Sequence, residues 1–251
     1  MNIFLILVSI NLCQKNKMKP NKYYPKITVI MSAYNSSRTI HVAVKSILNQ
    51  DYKNLELFVI DDASTDNTLE ILSNLENQNK NMKVFLNESN IGLTKSLNKL
   101  LKKVDSDYIA RQDADDISVH NRISEQYKYL EKHPSKIGCS TLAKDLYSKK
   151  FINLKSSYLP LSIVLKYKNP FVHGSFLFRK SIFSEIGLYD ESYYYAQDYK
   201  FISEVYLKGF SLGIVKKNLY LLNTINNISN IYKEEQNYYS NLVSENYKEK
   251  R

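Results

Sequence analysis

The chain has 251 residues, 43% of them hydrophobic, with only six Gly and five Pro, so it has the apolar content for a packed core and is neither a disordered tail nor a collagen-like repeat. Two cysteines, Cys13 and Cys139, and four histidines without a C-x-x-C pair supply neither a disulfide framework nor a four-ligand zinc site, which points to a reducing compartment and to oxygen ligands for any metal. The net charge is +10, but only five of the 35 basic residues are Arg, which argues against nucleic acid, where the bidentate guanidinium is favoured, and leaves an acidic lipid surface as the better match.

Residues 3–12 are apolar, a run of about ten where a membrane-spanning helix needs roughly 20. Met1 and Asn2 lack the basic start of a secretory signal. Met18 offers a start just ahead of the first strand, and residues 1–24 are set apart as an N-terminal extension. Residues 27–31 form a short apolar strand, and Ile40, Ala43, Val44, Ile47 and Leu48 then fall at i, i+3, i+4, i+7 and i+8, the stripe of an amphipathic helix. The pattern repeats with a strand at 55–60 and Leu69, Leu72 and Leu75 on a helix. It repeats again with a strand at 82–86, a helix carrying Leu97, Leu100, Leu101 and Val104, and a fourth strand within 104–110. Such alternation reads as βαβ units and a mainly parallel sheet. Further on, 175–178 reads as a strand, 181–186 as a short helix and 198–208 as a helix closed by Gly209. The main domain is drawn over 25–215 and a C-terminal tail over 216–251, whose Asn-, Lys-, Glu- and Tyr-rich stretch beyond Tyr220 is expected as a loose helix or disordered.

In parallel sheets the ligand crevice lies outside the carboxyl ends of the strands, and polar residues gather at those ends here. The first strand runs into Ser32-Ala33-Tyr34-Asn35, the second into Asp61-Asp62-Ala63-Ser64-Thr65-Asp66, and the fourth into Arg111-Gln112-Asp113-Ala114-Asp115-Asp116. Asp113, Asp115 and Asp116 put three carboxylates on one turn, where they repel one another unless a cation sits among them. Mg²⁺ or Mn²⁺ takes such oxygens, with one or two carboxylates from the protein and the rest from substrate and water. The alternative is a solvated acidic loop. An EF-hand does not fit, since Ser118 stands where Gly is required and Ser124 where the bidentate Glu belongs. Thr65 or Asp66 is expected to cap the helix that follows, leaving Asp61 and Asp62 to accept a hydrogen bond from a base or ribose. Asp198 opens its helix either as a cap or as a general base.

The runs Pro25-Lys26-Ile27-Thr28-Val29-Ile30-Met31-Ser32-Ala33-Tyr34-Asn35, Val59-Ile60-Asp61-Asp62-Ala63-Ser64-Thr65-Asp66, Asn90-Ile91-Gly92-Leu93 with Asn98, and Asp113-Ala114-Asp115-Asp116 follow one another in order. Together with His173-Gly174-Ser175 and Ala196-Gln197-Asp198 they resemble glycosyltransferase family 2 over about residues 26–212. The resemblance implies an α/β GT-A fold in a single nucleotide-sugar-binding domain, and transfer with inversion at the anomeric carbon. It implies that Ala33, Tyr34 and Asn35 line the nucleotide site, with Tyr34 stacked on the base, and that Asp62 accepts the imide hydrogen of uracil, favouring a UDP-sugar. Asp115, with Asp113 or Asp116, is expected to hold Mn²⁺ or Mg²⁺ against the diphosphate, Asp113 facing the donor as well, and Asp198 is expected to be the base. Lys95 either meets the diphosphate or belongs to a solvated helix face, and His173 either shapes the acceptor side or is a satisfied loop histidine.

The implied activity is transfer of a hexosyl or N-acetylhexosaminyl group to a hydroxyl of a glycan, lipid-linked or protein-linked acceptor in polysaccharide biosynthesis. The expected place of work is the cytoplasm, peripheral to a membrane that the Lys-rich surface and residues 3–12 help to reach. Gln197 stands where the family often has Glu, and Asn223 and Ile225 stand where many relatives carry Arg-x-His. A catalytically weakened nucleotide-sugar-binding subunit is therefore the alternative. A sugar-nucleotide pyrophosphorylase shares the sheet architecture, but its Gly-rich first loop is missing from residues 32–37.

Overall fold

The computed structural model describes residues 24–225 and 232–250, so the apolar run at 3–12, Cys13 and Met18 lie outside the described residues. Strands β1 (Ile27–Ala33), β2 (Leu55–Asp61), β3 (Met82–Leu86) and β4 (Tyr108–Arg111) alternate with helices α1 (Ile40–Leu48), α2 (Thr68–Gln78) and α3 (Leu93–Leu101), as the periodicity predicts. β1 lies between β2 and β4, with β3 outside β2, and all these pairs are parallel. The fourth strand starts later than expected, because Val104 is buried in the core behind α3 and the Asp105-Ser106-Asp107 stretch breaks the run before Tyr108.

Side chains of β1 and β2 alternate between two cores, which is why both strands are apolar on both faces. Ile27, Val29, Met31, Leu55, Leu57 and Val59 pack with α1, α2 and the helix α4 (Arg122–Lys132). Ile30, Phe58 and Ile60 face the other way, onto α3, α6 (Ile182–Ile186), α7 (Gln197–Leu207) and α8 (Lys233–Glu249). The α1 stripe is buried as expected at Ile40, Ala43, Val44 and Ile47. Ile40, Val44 and Ile47 each contribute about 1.5–3 kcal/mol by leaving water, and Ala43 less.

The second half completes a mixed sheet. Strands β5 (Ile117–Ser118), β6 (Lys136–Asp145), β7 (Phe151–Ile152), β8 (Leu177–Arg179) and β9 (Ser211–Leu222) extend it in the order β3-β2-β1-β4-β8-β6-β9-β5, with β7 paired to β6. β8 runs antiparallel to β4 and β6, and β9 runs parallel to β6 and antiparallel to β5. The short α5 (Leu161–Val164) lies between β7 and β8. β9 carries the sheet to Leu222, through the boundary expected at 215, and the region expected as a loose tail contains α8, whose Val243, Ser244 and Tyr247 are buried. Among the described residues no helix is long and apolar enough to cross a membrane.

Candidate active site

Parallel pairing brings the ends of β1, β2 and β4 to one edge, with Ala33 opposite Asp61 and Ile30 opposite Arg111. The exits of β1 and β2 are locked together. Asn35 and Ala63 adopt left-handed backbone with φ of 47° and 58°; Asn tolerates this through local hydrogen bonding. Asn35 N donates to Ser64 Oγ at 3.0 Å, and Asn35 Oδ1 accepts from Thr65 N at 2.8 Å. Asp61 spends its carboxylate on its own turn, accepting from Ser64 N at 3.0 Å and Ser64 Oγ at 2.6 Å. Asp66 accepts from Thr68 N at 3.0 Å and Ser37 N at 3.1 Å, joining the start of α2 to the β1 exit. Burial pushes its pKa up, but the bonds from Thr68 and Ser37 outweigh this and bring it to about 2.

Asp62 is buried and heavily engaged. Its Oδ1 accepts from Asn87 Nδ2 at 2.7 Å and Ile91 N at 3.0 Å, and its Oδ2 accepts from Gly92 N at 2.8 Å. The carboxylate thus fastens the loop that enters α3, where Gly92 takes a φ of 85°. Oδ2 keeps one uncommitted lone pair among the described residues. Ala33 is buried and receives Asp62 N on its carbonyl at 2.8 Å, while Tyr34 is 48% exposed at the mouth. Lys95 lies half-buried in the first turn of α3 with no hydrogen bond or ion pair to another described residue.

The acidic turn after β4 is braced from within. Gln112 is buried, and its Nε2 donates to Asp113 O at 3.1 Å and Asp116 O at 2.9 Å while Oε1 accepts from Ser118 Oγ at 2.6 Å. Arg111 is buried and its Nη2 pairs with Asp113 Oδ1 at 2.6 Å. Burial, the largest single influence, lowers the Arg111 pKa, but the charge and hydrogen bond of Asp113 together with Tyr189 and Tyr220 raise it above its ordinary value. Arg122, also buried, donates from Nη2 to Arg111 O at 3.1 Å and lies 5.5 Å from the centre of the Tyr220 ring; burial pushes its pKa down to about 10.

The carboxylates of this turn differ in their freedom. Asp116 is buried, with Oδ1 accepting from Asn223 N at 2.7 Å and Oδ2 unpartnered among the described residues. Burial first, then the charges of Asp113 and Asp115, raise its pKa well above the usual carboxylate range. Asp115 is only partly buried, and burial and Asp113 push it up to about 6. Among the described residues no three His, Cys, Asp or Glu side chains converge as a ready-made cage. The turn nevertheless fits a hard cation that takes its other ligands from phosphate and water. It offers carboxylate oxygens held close against their mutual repulsion, and one of them, Asp116 Oδ2, is a buried orphan.

His173-Gly174-Ser175 forms a single 3-10 turn against the acidic one. A Cβ at Gly174 would overlap the Tyr220 hydroxyl and Asp113 Oδ2, so glycine is what lets the two turns meet. His173 Nε2 is hydrogen-bonded to the Tyr189 hydroxyl at 3.0 Å, and burial, with Arg111, pushes its pKa well below the usual range, leaving a neutral ring. Tyr189 is held in turn by Asn98, which donates to its carbonyl at 2.9 Å and accepts from its N–H at 3.1 Å. Asp198 stands in the first turn of α7, after Ala196 at φ 55°, and its Oδ2 accepts from Asn169 Nδ2 at 2.6 Å. Burial raises its pKa; the bonds from Tyr199 and Asn169 oppose this, and the Asp113 charge adds to it. Asn223 supports Asp116 through its backbone and accepts Ile225 N on its side chain at 3.0 Å, while the Ile225 side chain is exposed.

The fold therefore sets Tyr34, Asn35, Asp62 and the acidic turn at the carboxyl ends of β1, β2 and β4, with the His173-Gly174-Ser175 turn packed on the acidic one and Asp198 at the start of α7, held by Asn169. Sequence reasoning placed Arg111 in the polar run that ends the fourth strand without giving it a role, and missed Arg122, Asn169, Tyr189 and Tyr220 as parts of this region. Arg111 carries a sequence signal, since it directly precedes the acidic run; the others become visible only through contacts across the chain.

The family model for Glycosyl transferase family 2 matches residues 28–187. EpsE of Bacillus subtilis (strain 168) is 38% identical over 168 residues, which are 66% of this chain and 60% of that protein. WfaP of Escherichia coli, a UDP-Glc:alpha-D-GlcNAc-diphosphoundecaprenol beta-1,3-glucosyltransferase, is 36% identical over 107 residues, which are 42% of this chain and 41% of that protein. Among solved structures, S. aureus TarS 1–349 in complex with UDP is similar at a TM-score of 0.64 and 23% identity, over 84% of this chain and 63% of that one. The mannosyltransferase PcManGT from Pyrobaculum calidifontis, in complex with GDP-Man and Mn²⁺, is similar at a TM-score of 0.71 and 18% identity, over 93% of this chain and 68% of that one. These two likenesses bear on the fold alone. The chain spans about 60% of the length of EpsE.

Proposed function

Since the chain belongs to glycosyltransferase family 2 and has the GT-A fold, we propose that it transfers a sugar from a UDP-sugar to a hydroxyl of a lipid-linked glycan, with inversion and with Mn²⁺ or Mg²⁺ at the diphosphate. The observation that carries this reading is the acidic turn after β4, where Arg111 pairs with Asp113 and Asp116 Oδ2 is left without a partner among the described residues, with Asp198, in the first turn of α7 and held by Asn169, as the base. A charge-holding turn and a base then flank one reacting centre.

Asp198 takes the proton of the acceptor hydroxyl as its oxygen bonds to the anomeric carbon and the bond from that carbon to the diphosphate oxygen breaks. A carboxylate whose pKa is raised is a better match to that proton, and such general bases contribute about 10²–10⁴-fold in rate. Inversion needs only this one group. Asp61 spends both oxygens on Ser64 and the carboxylates of the acidic turn would face the cation, so the reading calls for no covalent intermediate. Asp115, with the oxygen of Asp113 that Arg111 leaves free, would hold the cation, which when bound stabilises the charge that builds on the departing UDP. Tyr34 would stack on the base, and the spare lone pair of Asp62 Oδ2 would receive the uracil imide. A UDP donor and a lipid diphosphate acceptor are the chemistry in the name of WfaP.

A second reading, a nucleotide-sugar-binding subunit with weakened catalysis, is favoured by Asn223 and Ile225, whose side chains bring no cation or imidazole to the crevice. Calorimetric titration of UDP, with GDP as control, with and without Mn²⁺, followed by assay of UDP-sugar turnover, separates the two. Metal-dependent, UDP-selective binding with turnover is expected. Binding without turnover on any UDP-sugar selects the second reading, and failure of both nucleotides to bind overturns both.

A further inference from the structure

Between Asp145 and Glu185 the chain has no acidic residue, and it exposes large apolar side chains there. Tyr158, Leu159, Ile163 and Tyr167 are 66%, 57%, 54% and 72% exposed, and Phe151 is exposed as well. Single exposed apolar residues are ordinary, but a group of them on one face marks an interaction site. Lysines from separate elements converge on the same rings. Lys144 Nζ of β6 stands 4.6 Å from the Phe151 ring centre, Lys216 Nζ of β9 4.3 Å from that of Tyr158, and Lys248 Nζ of α8 5.1 Å from that of Tyr167. Lys155 and Lys168 line one hollow with Phe151. The segment is pinned from behind, since the Tyr199 hydroxyl donates to Leu165 O and Ser244 Oγ donates to Lys166 O, both at 2.6 Å. Its outward side chains are thus held on a fixed base, with Asn169, the partner of Asp198, just beyond Tyr167.

We propose that this face docks on an anionic lipid bilayer, with Tyr158, Leu159, Ile163 and Tyr167 in the headgroup region and the surrounding lysines against lipid phosphates. Aromatic and aliphatic tips ringed by lysine match the chemistry of that interface. Nucleic acid has no use for Leu159 and Ile163, and none of these cations is Arg. Docking brings Asn169 and Asp198, which follow in the chain, toward the membrane. The docking itself stands apart from the donor and reaction proposed above; only the delivery of a lipid-linked acceptor to Asp198 rests on that reading.

The test is co-sedimentation of the full chain with vesicles of phosphatidylcholine alone and of phosphatidylcholine mixed with phosphatidylglycerol, at low and high salt. Binding to the mixed vesicles only, weakened by salt, is expected. The pair Leu159→Ser with Ile163→Ser and the pair Lys155→Glu with Lys168→Glu should each lower partitioning by about tenfold or more. Lys26→Glu with Lys180→Glu, just before β1 and just after β8, should leave it unchanged. Thermal melts and metal-dependent UDP binding, measured on every variant, report on the fold and on the proposed donor site independently. Undiminished vesicle binding by both patch variants overturns the proposal, as does absence of binding to anionic vesicles at low salt. Equally tight binding of a single-stranded oligonucleotide, insensitive to the Leu159 and Ile163 changes, also overturns it.

Discussion

Asp198 works as a base only when ionised, and burial makes ionisation harder. Transfer should therefore fall as pH drops through a pKa above the roughly 3.9 of an exposed Asp, read as the acid limb of kcat/KM. Asn169→Ala removes a hydrogen bond that favours the charged form, so it should move that limb to higher pH. Asp198→Asn should cost about 10²–10⁴-fold in rate and leave UDP affinity by calorimetry intact; near-normal turnover would remove Asp198 from the mechanism. At Gly174 the constraint is space. Gly174→Ala sets a methyl against Asp113 and Tyr220 and should cost about 1–3 kcal/mol of stability, with weaker Mn²⁺-dependent UDP binding. A variant that melts and binds like the parent would show that the two turns can separate freely.

At the scale of an element, the acidic turn stores charge that folding alone does not relieve. Asp115, pushed up to about 6, binds its proton more tightly in the folded than in the unfolded chain. Its contribution to stability is therefore full below about pH 4 and is lost as pH rises through about 6. Metal-free protein should lose melting temperature over that window relative to Asp115→Asn, and Mn²⁺ should restore it above that window in the parent only. A pH-independent difference between the two proteins, with no effect of Mn²⁺, would show that Asp115 neither feels the turn nor meets the metal. The elements around the turn were unequally legible. α1 and α3 announce themselves through apolar stripes within one helix. α4 escapes notice because Ile123, Tyr127 and Leu130 share its core side with buried polar residues, Arg122, Ser124 and Gln126, and β6 because a strand of small and polar residues such as Gly138, Ser140 and Thr141 lacks the alternation that marks β1.

Over the whole molecule, the two cores depend on segments far apart in the chain. α8 closes the core on the α7 side with Val243 and the fully buried Tyr247. Tyr247→Ala should cost about 3 kcal/mol or more in urea unfolding, by loss of transfer energy and the cavity left behind, and a chain ending at 232 should lose cooperative unfolding. A change under about 0.5 kcal/mol for Tyr247→Ala would return residues 233–250 to the status of a tail. The sheet likewise depends on β9, which pairs with β6 and β5 and delivers Tyr220 and Asn223 to the acidic turn.

The residues alone determined the βαβ order, the polar exits of β1, β2 and β4, the acidic turn and the family resemblance, because each is written in stretches of about four to fifteen neighbouring residues, the reach of helix and strand periodicity. Only the tertiary structure decided what each carboxylate is free to do. Asp62 is engaged by Asn87, Ile91 and Gly92, Asp116 by Asn223, and Asp198 by Asn169. Those partners lie up to 107 residues away, and a carboxylate's hydrogen bonds and burial, which set its charge, exist only once the chain has closed around it.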